Sequence, residues 1–230
     1  MNILINLGTL KKGGGQNVAL NFLNSLLRIT NINNFHFSIV RNTEIHNFFI
    51  KNKLKNFILV PSNPLLRIIY ELTFGKILIH QYKFDIIYSY FGICLYSKRI
   101  PQITGSADSN LYFPEINFWK DYKGLSLLLR NIVDNYRIWG LHRCKGIIFE
   151  NEALEKRCHQ IFKIKETKFI KPSIFFNKNY TKEFELGNQV NKKIPIGLFL
   201  SGWQLNKNIM IIPEIAKLLK DKNIKFQFII

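Results

Sequence analysis

The first thirty residues constrain the fold most. Residues 2–7 (Asn-Ile-Leu-Ile-Asn-Leu) form a short apolar run that ends at Gly8. Gly13, Gly14 and Gly15 follow in succession, and from Gln16 to Arg28 the residues Val18, Ala19, Phe22, Leu23, Leu26 and Leu27 fall at helical spacing. This pattern predicts a buried strand, a glycine-rich loop and an amphipathic helix. Glycines let backbone approach a ligand closely, and a helix start offers free N–H groups and the positive end of its dipole, which suit a phosphate or a sugar hydroxyl. The same three glycines also read as a tight strand-to-helix turn and nothing more. Two sharper motifs are excluded: the glycines are not separated as in a dinucleotide fingerprint, and Lys11 and Lys12 precede them, whereas a phosphate loop ends in Gly-Lys-Ser/Thr.

The theme repeats along the chain. Strands are expected at Phe35–Val40, Phe57–Val60, Phe84–Tyr90, Ile100–Thr104, Gly146–Phe149 and Lys168–Ile170. Helices are expected at Thr43–Lys53, from the Asn63 cap and Pro64 to about Tyr82, at Leu125–Arg143, and from the Asn151 cap to Phe162. In the helix after Asn63, residues Leu65, Ile68, Ile69, Leu72, Ile77 and Ile79 are apolar and Arg67, Lys76 and Lys83 basic; packing on a sheet is the first reading and a membrane-surface helix the second. Asn151 and Glu152 read as a cap and a compensating charge at a helix start.

Between Gly105 and Lys123 periodicity is lost while Asp108, Asn110, Tyr112, Pro114, Glu115, Trp119 and Asp121 gather. The loop follows a strand end, where open α/β sheets bind ligands. Asp108 is the candidate catalytic carboxylate and Glu115 a candidate substrate contact; turn and cap duties are the competing reading for such residues.

From Pro172 to Lys193 the chain turns polar and reads as a linker. A second strand–loop–helix–strand unit follows: Pro195–Ser201, a loop with Lys207, a helix over about Ile209–Lys220, and Lys225–Ile230. Pro213 conflicts with that helix unless it starts later or kinks. The expected architecture is α/β, with a Rossmann-like doubly wound parallel sheet in residues 1–171, a linker at 172–193, and the start of a second Rossmann-like domain at 194–230.

Composition limits the partners. Lys and Arg number 33 against 15 Asp and Glu, a formal charge of +18 that favours anionic partners: nucleic acid, an acidic membrane surface or phosphorylated substrates. No nucleic-acid motif accompanies that charge, and the aromatics look core-placed, so nucleic acid is the least favoured of the three. Cys94, Cys144 and Cys158 lie far apart with no metal-ligand spacing, which suggests neither disulfides nor a zinc site and fits a reducing cytosol. No apolar run approaches the roughly 18 residues of a membrane span.

Three stretches together resemble glycosyltransferases of the GT-B fold, most like family 4. They are Gly13-Gly14-Gly15-Gln16-Asn17-Val18-Ala19 after a strand, the strand end Gly146-Ile147-Ile148-Phe149-Glu150-Asn151, and Leu198-Phe199-Leu200-Ser201-Gly202 followed by Lys207-Asn208. The resemblance implies two facing Rossmann-like domains, the first receiving a glycan or lipid-linked acceptor and the second a nucleotide-sugar donor, as in cell-envelope polysaccharide synthesis. It implies no cofactor beyond that donor substrate and no metal, a cytoplasmic location at or near the membrane face, and substrate contacts at Gly13, Gly14, Gly15, Gln16, Lys207 and Asn208, with Lys207 meeting the diphosphate. Trp203 stands where the family usually has an arginine, and the paired glutamates that hold the donor would lie past Ile230. The expectation is therefore that these 230 residues alone transfer no sugar. The rival class is a non-enzymatic basic protein that binds nucleic acid or an anionic membrane.

Overall fold

The structure is a computed structural model that describes residues 1–91, 100–164, 166–170, 194–198, 209 and 211–229. The chain divides into two compact units, Met1–Asn117 with Gly124–Phe175, and Phe118–Lys123 with Phe176–Ile230.

The first unit is built on seven parallel strands, β1 (Ile3–Asn6), β2 (Phe35–Val40), β3 (Phe57–Val60), β4 (Ile86–Ser89), β5 (Gln102–Ser106), β6 (Gly146–Phe149) and β7 (Thr167–Phe169), in the order β3-β2-β1-β4-β5-β6-β7. Helices flank the sheet and the fold is Rossmann-like. Strand β1 is interior, with Ile3 opposite both Phe35 of β2 and Ile86 of β4. Its successive side chains separate into two cores. Ile5 joins Ala19, Leu23, Phe37, Ile39, Ile45 and Phe49 beneath α1 (Gly14–Ile29) and α2 (Glu44–Lys51). Leu4 joins Phe84 and Ile87, against which Ile79 and Tyr82 pack. A third core sets Tyr112, Leu141, Phe149, Leu154 and Cys158 between α5 (Ser109–Tyr112), α6 (Gly124–Leu141) and α7 (Glu152–Phe162). Burial raises the Cys158 thiol to about 11, so it behaves as a small apolar residue.

Local chemistry accounts for most boundaries. Thr43 caps α2, its Oγ1 accepting from His46 N at 3.2 Å, and Asn151 caps α7, its Oδ1 accepting from Ala153 N at 2.8 Å. Glu152 pairs with Lys156 at 2.8 Å across one helical turn. Asn63 caps the helix after β3 through Leu65 N and Leu66 N, with Pro64 at its first position.

That helix departs from the sequence expectation in two ways. It is two helices, α3 (Pro64–Leu72) and α4 (Phe74–Tyr82), broken at Thr73, whose hydroxyl donates back to Ile69 O at 2.7 Å. The apolar face does not simply pack on the sheet either: α3 buries Arg67 and Glu71, while Leu66, Ile69 and Leu72 are exposed.

In the second unit, β8 (Ile196–Leu198) pairs in parallel with β9 (Gln227–Ile229) across α8 (Ile211–Asp221). Because α8 starts at Ile211, Pro213 sits in its first turn, where backbone N–H groups have no helical partner to lose. The expected linker at 172–193, Cys94, and the loop with Lys207 and Asn208 lie outside the described residues.

Candidate functional site

The chain leaves β3 at one edge and resumes at β4 on the far side of β1, so the strand order reverses between β1 and β4. Ligands in open α/β sheets bind at the carboxyl ends of the strands at such a point. Asn6 ties that end together. Its Oδ1 accepts from Ser38 Oγ of β2 at 2.6 Å and from Gly8 N at 3.0 Å, and its Nδ2 donates to Ser89 Oγ of β4 at 3.3 Å.

The loop from Gly8 to Gly13 is then held from three sides. Arg67 Nη1 donates to Gly8 O at 2.8 Å, Thr9 Oγ1 donates to Phe91 O, and Lys11 Nζ donates to Ser62 O. Gly13 ends the loop with φ 74° and ψ −158°, a conformation open essentially to glycine alone, and it caps α1 with no side-chain hydrogen bond. The first N–H groups of α1 are thus left to whatever stands over Gly13 and Gly14, both exposed; nothing lies within 4 Å of where a Cβ on Gly14 would be. Just inside, Gln16 is buried and its Oε1 has no hydrogen-bond partner among the described residues. Gly13, Gly14, Gly15 and Gln16 therefore lie together at the carboxyl end of β1.

Two cations meet this loop, Lys11 within it and Arg67 at Gly8. Burial, with the Arg67 and Lys12 charges beside it, pulls the Lys11 ammonium below its ordinary value. Burial also lowers Arg67, opposed by Glu71 and helped by the Arg137 charge. Glu71, with its oxygen 3.8 Å from Arg67 Nε and accepting from Tyr136 Oη at 3.3 Å, is pushed by burial from 4.5 up to about 7, its two partners pulling the other way. Desolvation outweighs attraction in this pair, as is common for ions taken out of water.

Asp108 follows β5 and stands 3.6 Å from Arg137, which also meets Asp134 at 3.6 Å. Asn110 Nδ2 donates to Asp134 at 2.9 Å, so the polar residues of this loop are organised by α6. Strands β5 and β6 pair with Ser106 opposite Phe149, which brings Glu150 to the same end as Asp108. Burial, then the Asp108 charge, raises the Glu150 carboxyl. Glu150 forms part of the wall of a cavity of about 300 Å³ with Phe22, Tyr88, Tyr90, Gly105 and Phe149. A side chain at 105 is excluded from that wall, because its Cβ would lie 1.9 Å from Tyr90 O.

Glu115 is placed otherwise. Both its oxygens accept from Arg157 Nη2 at 2.7 Å, and Arg157 also donates through Nε to Tyr112 O and stacks on Phe113, tying the loop to α7. Arg67, Glu71, Arg137 and Glu150 were not singled out as site residues by sequence. Only Glu150 carried a signal, as a carboxylate directly after an apolar strand. Among the described residues no group of three or more His, Cys, Asp or Glu is placed to hold a metal ion, and no helix is long and apolar enough to cross a membrane. No protein-family profile matches the chain, and no curated protein matches it in sequence.

Proposed function

We propose that the chain is a glycosyltransferase of the GT-B type, in which the seven-stranded unit is the acceptor side and the β8–α8–β9 unit belongs to the donor side. The observation that carries this reading is the open N-terminus of α1 over Gly13–Gly15, which follows the carboxyl end of β1 through a loop that contains Lys11 and is held by Arg67 at Gly8. Such a place suits the diphosphate or a sugar hydroxyl of a nucleotide-activated donor. Sugar transfer needs negative charge on the departing nucleoside diphosphate stabilised, and fixed N–H groups with nearby cations supply that without reorganising. The acceptor hydroxyl must also be held close to the sugar carbon. Glu150, with its raised carboxyl beside an aromatic cavity, and Asp108 next to it are the groups at hand to orient that hydroxyl or receive its proton. Lys207 and Asn208 remain the donor-side contacts that the family resemblance implies.

The test is thermal melting of the chain against a panel of nucleotide sugars, together with Gly14→Ala. A donor at about 100 times its dissociation constant adds roughly 2.7 kcal/mol to stability. Gly14→Ala has free space for its methyl, so it keeps the melting temperature of the parent but loses the ligand response. If no nucleotide sugar shifts the melt, or if Gly14→Ala binds as the parent does, the reading is wrong.

A further inference from the structure

Helix α3 turns its two charges inward, and α3 and α4 both leave large apolar residues outward. Arg67 and Glu71 are 4% and 2% exposed, whereas Leu66 and Ile69 are each 57% exposed, Phe74 57% and Ile77 60%. Soluble chains rarely leave such a stripe open without a use for it. Helix α6, joined to α3 by the Tyr136–Glu71 hydrogen bond, exposes Leu125, Leu128 and Ile132 at helical spacing.

We propose that the outward face of α3–α4 seats the protein on the surface of an anionic lipid bilayer. The occupant follows from charge. Between Asn63 and Lys83 the sole carboxylate is Glu71, which is buried on Arg67, so the outward face presents no acid. The next carboxylate, Asp85, lies 4.0 Å from the N-terminal ammonium. Lys83 is exposed just past the C-terminal end of α4, and the whole chain carries +18. A helix pair with Phe, Ile and Leu outward and only positive charge at its edge fits a lipid interface with acidic headgroups, lying in its plane without crossing. A second copy is a poorer occupant, because it would bring +18 against +18. The inference stands apart from the sugar-transfer reading and survives its failure.

The test is co-sedimentation of the 230-residue chain with phosphatidylcholine vesicles, with and without phosphatidylglycerol. The chain sediments with the phosphatidylglycerol vesicles at low salt, and less so as the screening length falls from about 30 Å at 0.01 M to about 8 Å at 0.15 M. Phe74→Trp adds a fluorophore, and the emission it contributes beyond that of the parent shifts to the blue on those vesicles. The double variant Ile69→Ser, Ile77→Ser replaces exposed side chains only, so it melts as the parent does and loses roughly tenfold in partitioning. No sedimentation at low salt, an unshifted emission from the Phe74→Trp variant, or undiminished binding by the double variant each overturns the proposal. A concentration-dependent dimer that the double variant abolishes, without vesicle binding, overturns it in favour of a second copy.

Discussion

Helices α1 and α3 are both amphipathic in sequence, and they face the sheet with opposite surfaces. Helix α1 buries Ala19, Leu23 and Leu26, and the strands it covers offer Ile5, Phe37 and Ile39. Helix α3 buries Arg67 and Glu71, because the ground beneath it offers the Gly8 carbonyl and the Tyr136 hydroxyl. Periodicity in a sequence shows that a helix has two faces, but partners elsewhere in the chain decide which face goes in.

That contrast can be broken most forcefully at Glu71. Above pH 7, where Glu71 is ionised, Glu71→Ala leaves the Arg67 guanidinium buried with no carboxylate, and Arg cannot shed its proton, so unfolding in urea should show a loss of about 3–5 kcal/mol. Arg67→Met should cost less, because Glu71 can take up a proton when left alone. Equal losses from the two variants would mean that the pair is not buried as described.

Matched apolar truncations sharpen the comparison. Leu23→Ala on α1 removes a fully buried side chain and should cost about 2–5 kcal/mol, while Ile69→Ala on α3 should stay within about 0.5 kcal/mol. Urea midpoints of the two variants settle it; a large loss at Ile69 would place the apolar face of α3 inward after all.

A smaller effect is the pH dependence. Glu71 holds its proton in the folded chain up to about 7, whereas the ordinary value is 4.5. Between those values the folded state binds more protons than the unfolded state, so this group makes stability fall as pH rises, by at most about 1.4 kcal/mol per unit. Urea midpoints measured across that window should fall less steeply in Glu71→Gln than in the parent. Identical slopes would remove Glu71 as their source.

Much of the sheet was legible because its strands are short apolar runs closed by glycine, proline or asparagine. Phe35–Val40, Phe57–Val60 and Gly146–Phe149 fall where the pattern put them. The loop glycines were legible too, since only glycine tolerates the conformation at residue 13. The break at Thr73 was missed because the apolar spacing runs through it; its signal is a threonine able to bond back to Ile69 O. The neighbourhood of Asp108 and Glu150 could not be read at all. It arises from the pairing of β5 with β6, and no local pattern links residues so far apart in sequence. Arg67 read as one more basic residue on a surface helix, because the Gly8 carbonyl it meets is supplied by a distant loop.

The claim that the α1 N-terminus is the ligand site is tested most directly by amide NMR of the labelled chain during titration with a nucleotide sugar or its nucleoside diphosphate. The amides of Gly13, Gly14, Gly15 and Gln16 should move first and furthest, with those of Gly8 to Lys12 following through the loop they share. Saturable shifts confined to other parts of the described sheet, with these amides unmoved, would contradict it.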